Sequence, residues 1–204
     1  MNKITLSGEV VSTPELSHET HREEFYKFYI SSLRTSREAD VLPCIVSKVF
    51  LNEIKEKGLV KLVGEIRTFN DHTSEKRKLN VYVFVQDVLP YEEGDENFVE
   101  LQGFMCKTTN WRMTPKGKKI ADFTAACNRR LGKSDYIPSI AWGRGAHKVS
   151  QFPVGTEFLL EGRLQSRTYT KRYLDGTTEE KVAYEISVSN IDEVFNSMEE
   201  ARWE

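Results

Sequence analysis

The chain repeats itself, and a repeat constrains the fold more than any composition does, because each copy must bury a core of its own. Shifted by 95 residues, Leu6 and Gly8 fall on Leu101 and Gly103, Phe28 falls on Phe123, and Leu42-Pro43-Cys44-Ile45 falls on Ile137-Pro138-Ser139-Ile140. Three extra residues in the second copy's offset bring Val63-Gly64-Glu65-Ile66 onto Glu161-Gly162-Arg163-Leu164, and a further shift pairs Val83, Val85 and Val88 with Ile186, Val188 and Ile191. The offset drifts only where loops would sit, which is where insertions are tolerated. One domain duplicated is the simplest account, with copies over residues 1–90 and 97–192, an acidic aperiodic linker PYEEGDEN between them and a tail over 193–204.

Each copy reads as five short strands and one helix. In the first, β-branched and aromatic residues with a period near two mark strands over 3–12, 24–34, 41–47, 59–69 and 78–88. Between the third and fourth, VFLNEIKEKG spaces Phe50 and Ile54 four apart and stops at Gly58, which predicts a short helix. Its counterpart GAHKVSQFPVG predicts a shorter one. Three strands, a helix and two strands is the order of the OB-fold, a five-stranded Greek-key barrel, so the expected class is all-β with two tandem OB-folds.

Net charge is -2, yet the sum hides an asymmetry. Residues 1–96 hold 13 Lys+Arg against 17 Asp+Glu, residues 97–191 hold 15 against 9, and the last 13 residues hold 1 against 5. The second copy alone is basic. Cys44, Cys106 and Cys127 are an odd number without CxxC spacing, which argues against a disulfide framework and a zinc site. No apolar run reaches the roughly 18 residues of a spanning helix, and MNKITLSGEV lacks a signal-peptide core, so the expectation is a cytoplasmic protein that does not engage a membrane.

The second copy resembles the bacterial single-stranded DNA-binding protein family. The run GFMCKTTNWRMTPKGKKIADFTAACNRR, then IPSIAWGRGAH, then VGTEFLLEGRLQSRTYT, follows that family's order and spacing. The first copy is similar but diverged, keeping SGEVVSTPEL, LPCIV and KLVGEIRTF. The resemblance implies an OB-fold that wraps single-stranded DNA on one face, four folds per assembly and hence a homodimer of this chain, with replication or repair proteins as further partners and no cofactor.

Binding single strands without reading sequence needs cations along the phosphates and flat side chains on which bases stack. Alternation in IPSIAWGRGAH puts Ile137, Ser139 and Ala141 on one strand face and Tyr136, Ile140 and Trp142 on the other. With the first set inside the barrel, the second faces out. Arg144, Lys148, Arg163, Arg167 and Lys171 lie on or beside the same elements, and Tyr169 shares the parity of Arg167. The resemblance places base-stacking aromatics at Tyr136, Trp142 and Tyr169. Against this stands the reading of the same aromatics as cover for apolar surface or as a protein interface.

Residues 111–119 (WRMTPKGKK) read as the connection between the first two strands, with Pro-Lys-Gly as its turn; Arg112, Lys116 and Lys118 are phosphate contacts or solvated cations, and Trp111 is a platform or a plug at the barrel end. Arg129 and Arg130 open the next loop. In the first copy Val41, Ser47 and Asp71 stand where Tyr136, Trp142 and Tyr169 stand in the second, so that copy is expected mainly to position the other, with Phe69, Arg67, Lys76, Arg77 and Lys78 as a minor contact.

His18, His21, His72 and His147 have no ligand spacing, and surface loops account for most of them; HETHREE lacks the HExxH order. No P-loop, GxSxG or paired acids appear, so no metal site and no catalysis is expected. The tail IDEVFNSMEEARWE spaces Phe195 and Met198 on one face of a short capping helix. The expected function is sequence-independent binding of single-stranded DNA in replication, recombination or repair. The alternative is an OB-fold interaction module of a replication or mobile-element complex with secondary nucleic-acid contact.

Overall fold

The computed structural model describes residues 1–71, 78–114, 116–129, 132–173 and 175–194. The first repeat contributes β1 (Asn2–Val10), β2 (Glu15–Thr20), β3 (Glu23–Leu33), β4 (Ala39–Ser47), a 3-10 helix (Lys48–Glu53), β5 (Leu59–Asp71) and β6 (Lys78–Leu89). The second contributes β7 (Asn97–Met105), β8 (Asn110–Met113), β9 (Lys119–Asn128), β10 (Ser134–Trp142), the helix α1 (Gly143–Val149), β11 (Glu157–Arg172) and β12 (Thr178–Glu193).

Each repeat closes into a five-stranded barrel. Around the first, β1 pairs with β3, β3 with β4, β4 with β6 in parallel, β6 with β5, and β5 with β1. The second repeats the circuit as β7, β9, β10, β12, β11 and back to β7. This is the OB arrangement. The inward sets are apolar: Leu6, Phe28, Ile30, Leu42 and Leu62 in the first barrel, and Leu101, Ile137, Phe158, Leu164 and Ile186 in the second, are buried. Repeated glycines mark where strands bend to close the circuit. A Cβ on Gly64 would sit 2.2 Å from the Phe84 carbonyl oxygen and one on Gly162 would sit 2.4 Å from that of Ser187, both at the register shift of the pairing.

Two short strands were not legible in the sequence. In the first repeat, β2 folds onto β3 through a two-residue turn at His21 and Arg22, with φ of 51° and 64°. In the second, β8 pairs with β9 from Asn110↔Asp122 to Met113↔Lys119. All six residues of β2 and all four of β8 are exposed, so neither carries the buried alternation that marks a strand. His18 therefore lies in a strand and His21 in its turn. The helices also reverse the expected lengths. In the first repeat Ser47 Oγ accepts from the Val49 N–H and the Ile54 N–H closes on the Leu51 carbonyl at 3.1 Å, the tighter 3-10 pattern. In the second, Ala146 and Val149 are buried three residues apart under a regular α-helix of 7 residues.

The barrels join through an antiparallel β1–β7 ladder running from Asn2↔Leu101 to Leu6↔Asn97, with Ile4 opposite its own counterpart Val99 at the centre. A pseudo-two-fold axis passes there, and side chains obey it. Asn2 bridges the N–H and carbonyl of Ile66 at 3.0 and 2.8 Å, and Asn97 does the same to Leu164 at 2.9 and 2.7 Å. Farther out, Asp40 is held by Arg34 and accepts the Ser166 N–H across the junction at 2.7 Å. Its counterpart Asp135 is held by Arg129 and accepts the Thr68 N–H at 2.5 Å. Both carboxylates are fully buried, which demands partners of this kind.

Candidate nucleic-acid interface

The outward face of the second barrel is built on β10 and β11. In β10, Ile137, Ser139 and Ala141 are buried while Tyr136 and Trp142 stay 48% and 40% exposed. In β11, Phe158, Leu160 and Leu164 turn inward and Tyr169, on the opposite parity, is 39% exposed. Alternation therefore puts all three aromatics outside. It fails at two positions: Ile140 and Gln165 share the outward parity of their strands yet are buried. Trp142 is the last strand residue, and Gly143, at φ 54°, turns the chain directly into α1; that left-handed conformation is open to glycine at little cost.

A row of register partners runs from Trp142 through Ile120 on β9 to Arg112 on β8. Arg112 also makes a fork to Asp122, with Nε at 2.6 Å. Arg167 lies 5.7 Å from the centre of the Tyr169 ring and bonds Glu185 at 3.2 Å. Lys171 stands 5.2 Å over the Tyr173 ring, and Lys148 on α1 pairs with Asp192. Among the described residues Arg144, Lys116 and Lys118 make no ion pair; the two lysines flank Gly117 in the turn between β8 and β9. The Arg112 hydrogen bonds to Asp122 hold that guanidinium's pKa up, and the Lys148 hydrogen bond holds the Asp192 carboxyl down.

Two of the expected cations face elsewhere. Arg129 forks onto Asp135, and Arg163 donates to Asp40 at 2.8 Å and to Gln165 at 3.0 Å. Burial, then the charge of Arg34, pulls the Arg163 pKa down. Both guanidiniums are held at the junction of the barrels; Asp40 lies 123 residues from Arg163, a pairing that no spacing in the sequence shows. Arg130 lies outside the described residues, as does the tail from Phe195 to Glu204. Trp111 is 46% exposed beside Met113 at 56%, so it is no plug of the barrel end.

The first barrel presents a different outer surface. Val41 is exposed but Ser47 is buried, its hydroxyl donating to Glu23 at 2.5 Å. His18 stacks on Phe25 at 5.0 Å, Phe25 lies 5.7 Å from Phe84, and the Arg67 guanidinium sits 3.5 Å over Phe84. Sequence reading missed this column, since its members come from four strands and only the register of β2 brings His18 onto it. Phe69 is exposed; Lys76, Arg77 and the Lys78 side chain lie outside the described residues. Cys44 and Cys127 are buried free thiols whose pKa burial pushes up, and among the described residues no group of His, Cys, Asp and Glu is placed to hold a metal. Among the described residues no helix is long and apolar enough to cross a membrane.

Residues 96–194 match the model of the single-strand binding protein family. Among curated proteins, single-stranded DNA-binding protein A of Bacillus subtilis (strain 168) is 36% identical over 80 residues, covering 36% of this chain and 46% of the relative. Single-stranded DNA-binding protein 2 of Listeria monocytogenes is 34% identical over 80 residues, covering 36% and 50%. The match spans about half the length of these relatives. Among solved structures, the wild-type single-stranded DNA binding protein from Thermus aquaticus superposes with a TM-score of 0.76 at 16% identity, covering 97% of this chain and 94% of that one. A deletion mutant of the same protein gives 0.73 at 15% identity, covering 97% and 96%. The likeness extends over both barrels, and the fold is all-β with two OB-folds in tandem.

Proposed function

We propose that this chain, whose residues 96–194 match the single-strand binding protein family, binds single-stranded DNA without strong sequence preference and acts as a binding protein, not an enzyme. One observation carries the reading: three exposed aromatics, Tyr136, Trp142 and Tyr169, share the outward face of one barrel with cations beside them. Base stacking on such a platform contributes about 1–3 kcal/mol per base and ignores base identity. Arg144, Lys116 and Lys118 meet phosphates directly. Arg112, Arg167, Lys148 and Lys171 join them by exchanging a carboxylate or ring for a phosphate, which costs little because exposed ion pairs are worth roughly 0–1 kcal/mol. Arg129 and Arg163 support the site by holding the barrels together.

The same reading makes the units 1–90 and 97–192, with the second holding DNA and the first supporting it. It places the chain in DNA replication, recombination or repair in the cytoplasm. A homodimer supplying four OB-folds is supported by exposed apolar residues on the sheet that joins the barrels, where Phe98 lies opposite Thr5 and Leu159 opposite Gln102. Titrating tryptophan fluorescence with oligo-dT at two salt concentrations tests the function. Quenching with an affinity that falls as salt rises is expected; no quenching, or no salt dependence, rejects it.

A further inference from the structure

The N-terminal end of β10 has a neighbour on one side only. Ser134, Asp135 and Tyr136 pair with Asn128, Cys127 and Ala126 of β9, whereas the parallel pairing to β12 is confined to Ser139 and Ile140. The open side at residues 135 and 136 is filled from the other barrel. Thr68 of β5 donates its N–H to Asp135 Oδ1 at 2.5 Å and its hydroxyl to the same oxygen at 3.2 Å, and that hydroxyl accepts the Tyr136 N–H at 3.0 Å. Arg129 closes the group by bonding both Asp135 and the Thr68 carbonyl, the latter at 3.2 Å. One side chain of the first repeat thus replaces the missing ladder partner of a strand in the second.

The Tyr136 ring is half exposed, so its place above the face is set chiefly by its backbone. The pseudo-symmetric group has the same chemistry without an aromatic. Ser166 Oγ lies 3.3 Å from Asp40 Oδ1 and accepts the Val41 N–H at 3.2 Å. We infer that Thr68 is a positioning residue for the Tyr136 platform, so that the first barrel tunes DNA binding through the junction rather than through its own surface. The inference rests on the stacking role of Tyr136 proposed above. Stacking depends on ring placement, and a strand end that loses the backbone bond on its open side samples other placements.

The test compares oligo-dT affinity and urea unfolding for five full-length variants: Thr68→Val, Thr68→Ser, Ser166→Ala, Tyr136→Ala and the double variant Thr68→Val with Tyr136→Ala. Valine keeps the shape and the Thr68 backbone bonds and removes only the hydroxyl. Affinity is expected to fall about threefold to tenfold in Thr68→Val, the scale of one lost hydrogen bond. Thr68→Ser should restore it, Ser166→Ala should keep wild-type affinity, and adding Thr68→Val to Tyr136→Ala should change nothing further. An unchanged affinity in Thr68→Val beside a weakened Tyr136→Ala overturns the positioning role and leaves the stacking role standing. Equal losses in Thr68→Val and Ser166→Ala overturn it as well, since both would then act through junction stability. If Tyr136→Ala itself binds like wild type, the stacking role of Tyr136 fails, and the positioning role with it.

Discussion

Trp142 and Ser47 end equivalent strands and do opposite things: Trp142 stands out to solvent, while the Ser47 hydroxyl turns back to Glu23 at 2.5 Å and caps the 3-10 helix. Trp142 against Ser47 is thus one of the positions at which the outer surfaces of the two barrels differ. Replacing Trp142 by Ala should weaken oligo-dT binding by about fivefold to a hundredfold, the range of one stacked base. Its salt slope should stay as in wild type, because no charge is lost. A titration series in salt reads both quantities.

The basic residues divide into free and held ones, and their removal should separate accordingly. Arg144→Gln takes away a cation that makes no ion pair among the described residues, and the slope of log affinity against log salt should shrink by about 0.7, the value per phosphate on a single strand. Arg129→Gln should leave that slope alone. It strips Asp135 of its guanidinium, and leaving a buried carboxylate unpaired costs about 3–5 kcal/mol of unfolding free energy. Urea denaturation beside salt-dependent titration distinguishes the two.

Acid should loosen the junction at Asp40. Burial pushes that carboxyl up, but the Arg34 hydrogen bonds, the Ser166 N–H and the Arg163 charge outweigh it and hold the folded pKa below the ordinary 3.8. A depressed folded pKa contributes stability that is complete above the unfolded value and disappears as pH falls through the folded one. Asp40→Asn should therefore be less stable than wild type at neutral pH, with the difference shrinking only below pH 3.8. Urea unfolding at stepped pH measures that gap.

Gly162→Ala should destabilise the second barrel and lower its unfolding midpoint. The added methyl would sit 2.4 Å from the Ser187 carbonyl oxygen, so β11 and β12 must part at their bulge, at a cost of about 1–3 kcal/mol. Thermal unfolding followed by circular dichroism shows the shift.

The barrels were legible because their cores obey alternation. Phe28 and Phe123, or Leu42 and Ile137, recur at fixed distance since each repeat needs the same inward set, and solvent removes any sequence that fails to bury it. The exposed aromatics followed from the same rule, as residues of the opposite parity. What escaped were elements without a buried face. The strands β2 and β8 look like loops in sequence, and the His18–Phe25–Phe84–Arg67 column depends on the register of strands that sequence leaves open.

By itself the amino-acid sequence determined the duplication, the closed barrels and the face on which Tyr136, Trp142 and Tyr169 stand, because periodicity and burial are local properties of a strand. Tertiary structure alone decided which cations are free to meet a ligand. Arg129, Arg144 and Arg163 are alike as letters, yet Asp135 and Asp40 are buried at the junction and claim two of the three. A buried carboxylate must be paired; Asp135 takes Arg129 from six residues away in its own barrel, while the packing of the two barrels gives Asp40 an Arg163 that lies 123 residues off along the chain.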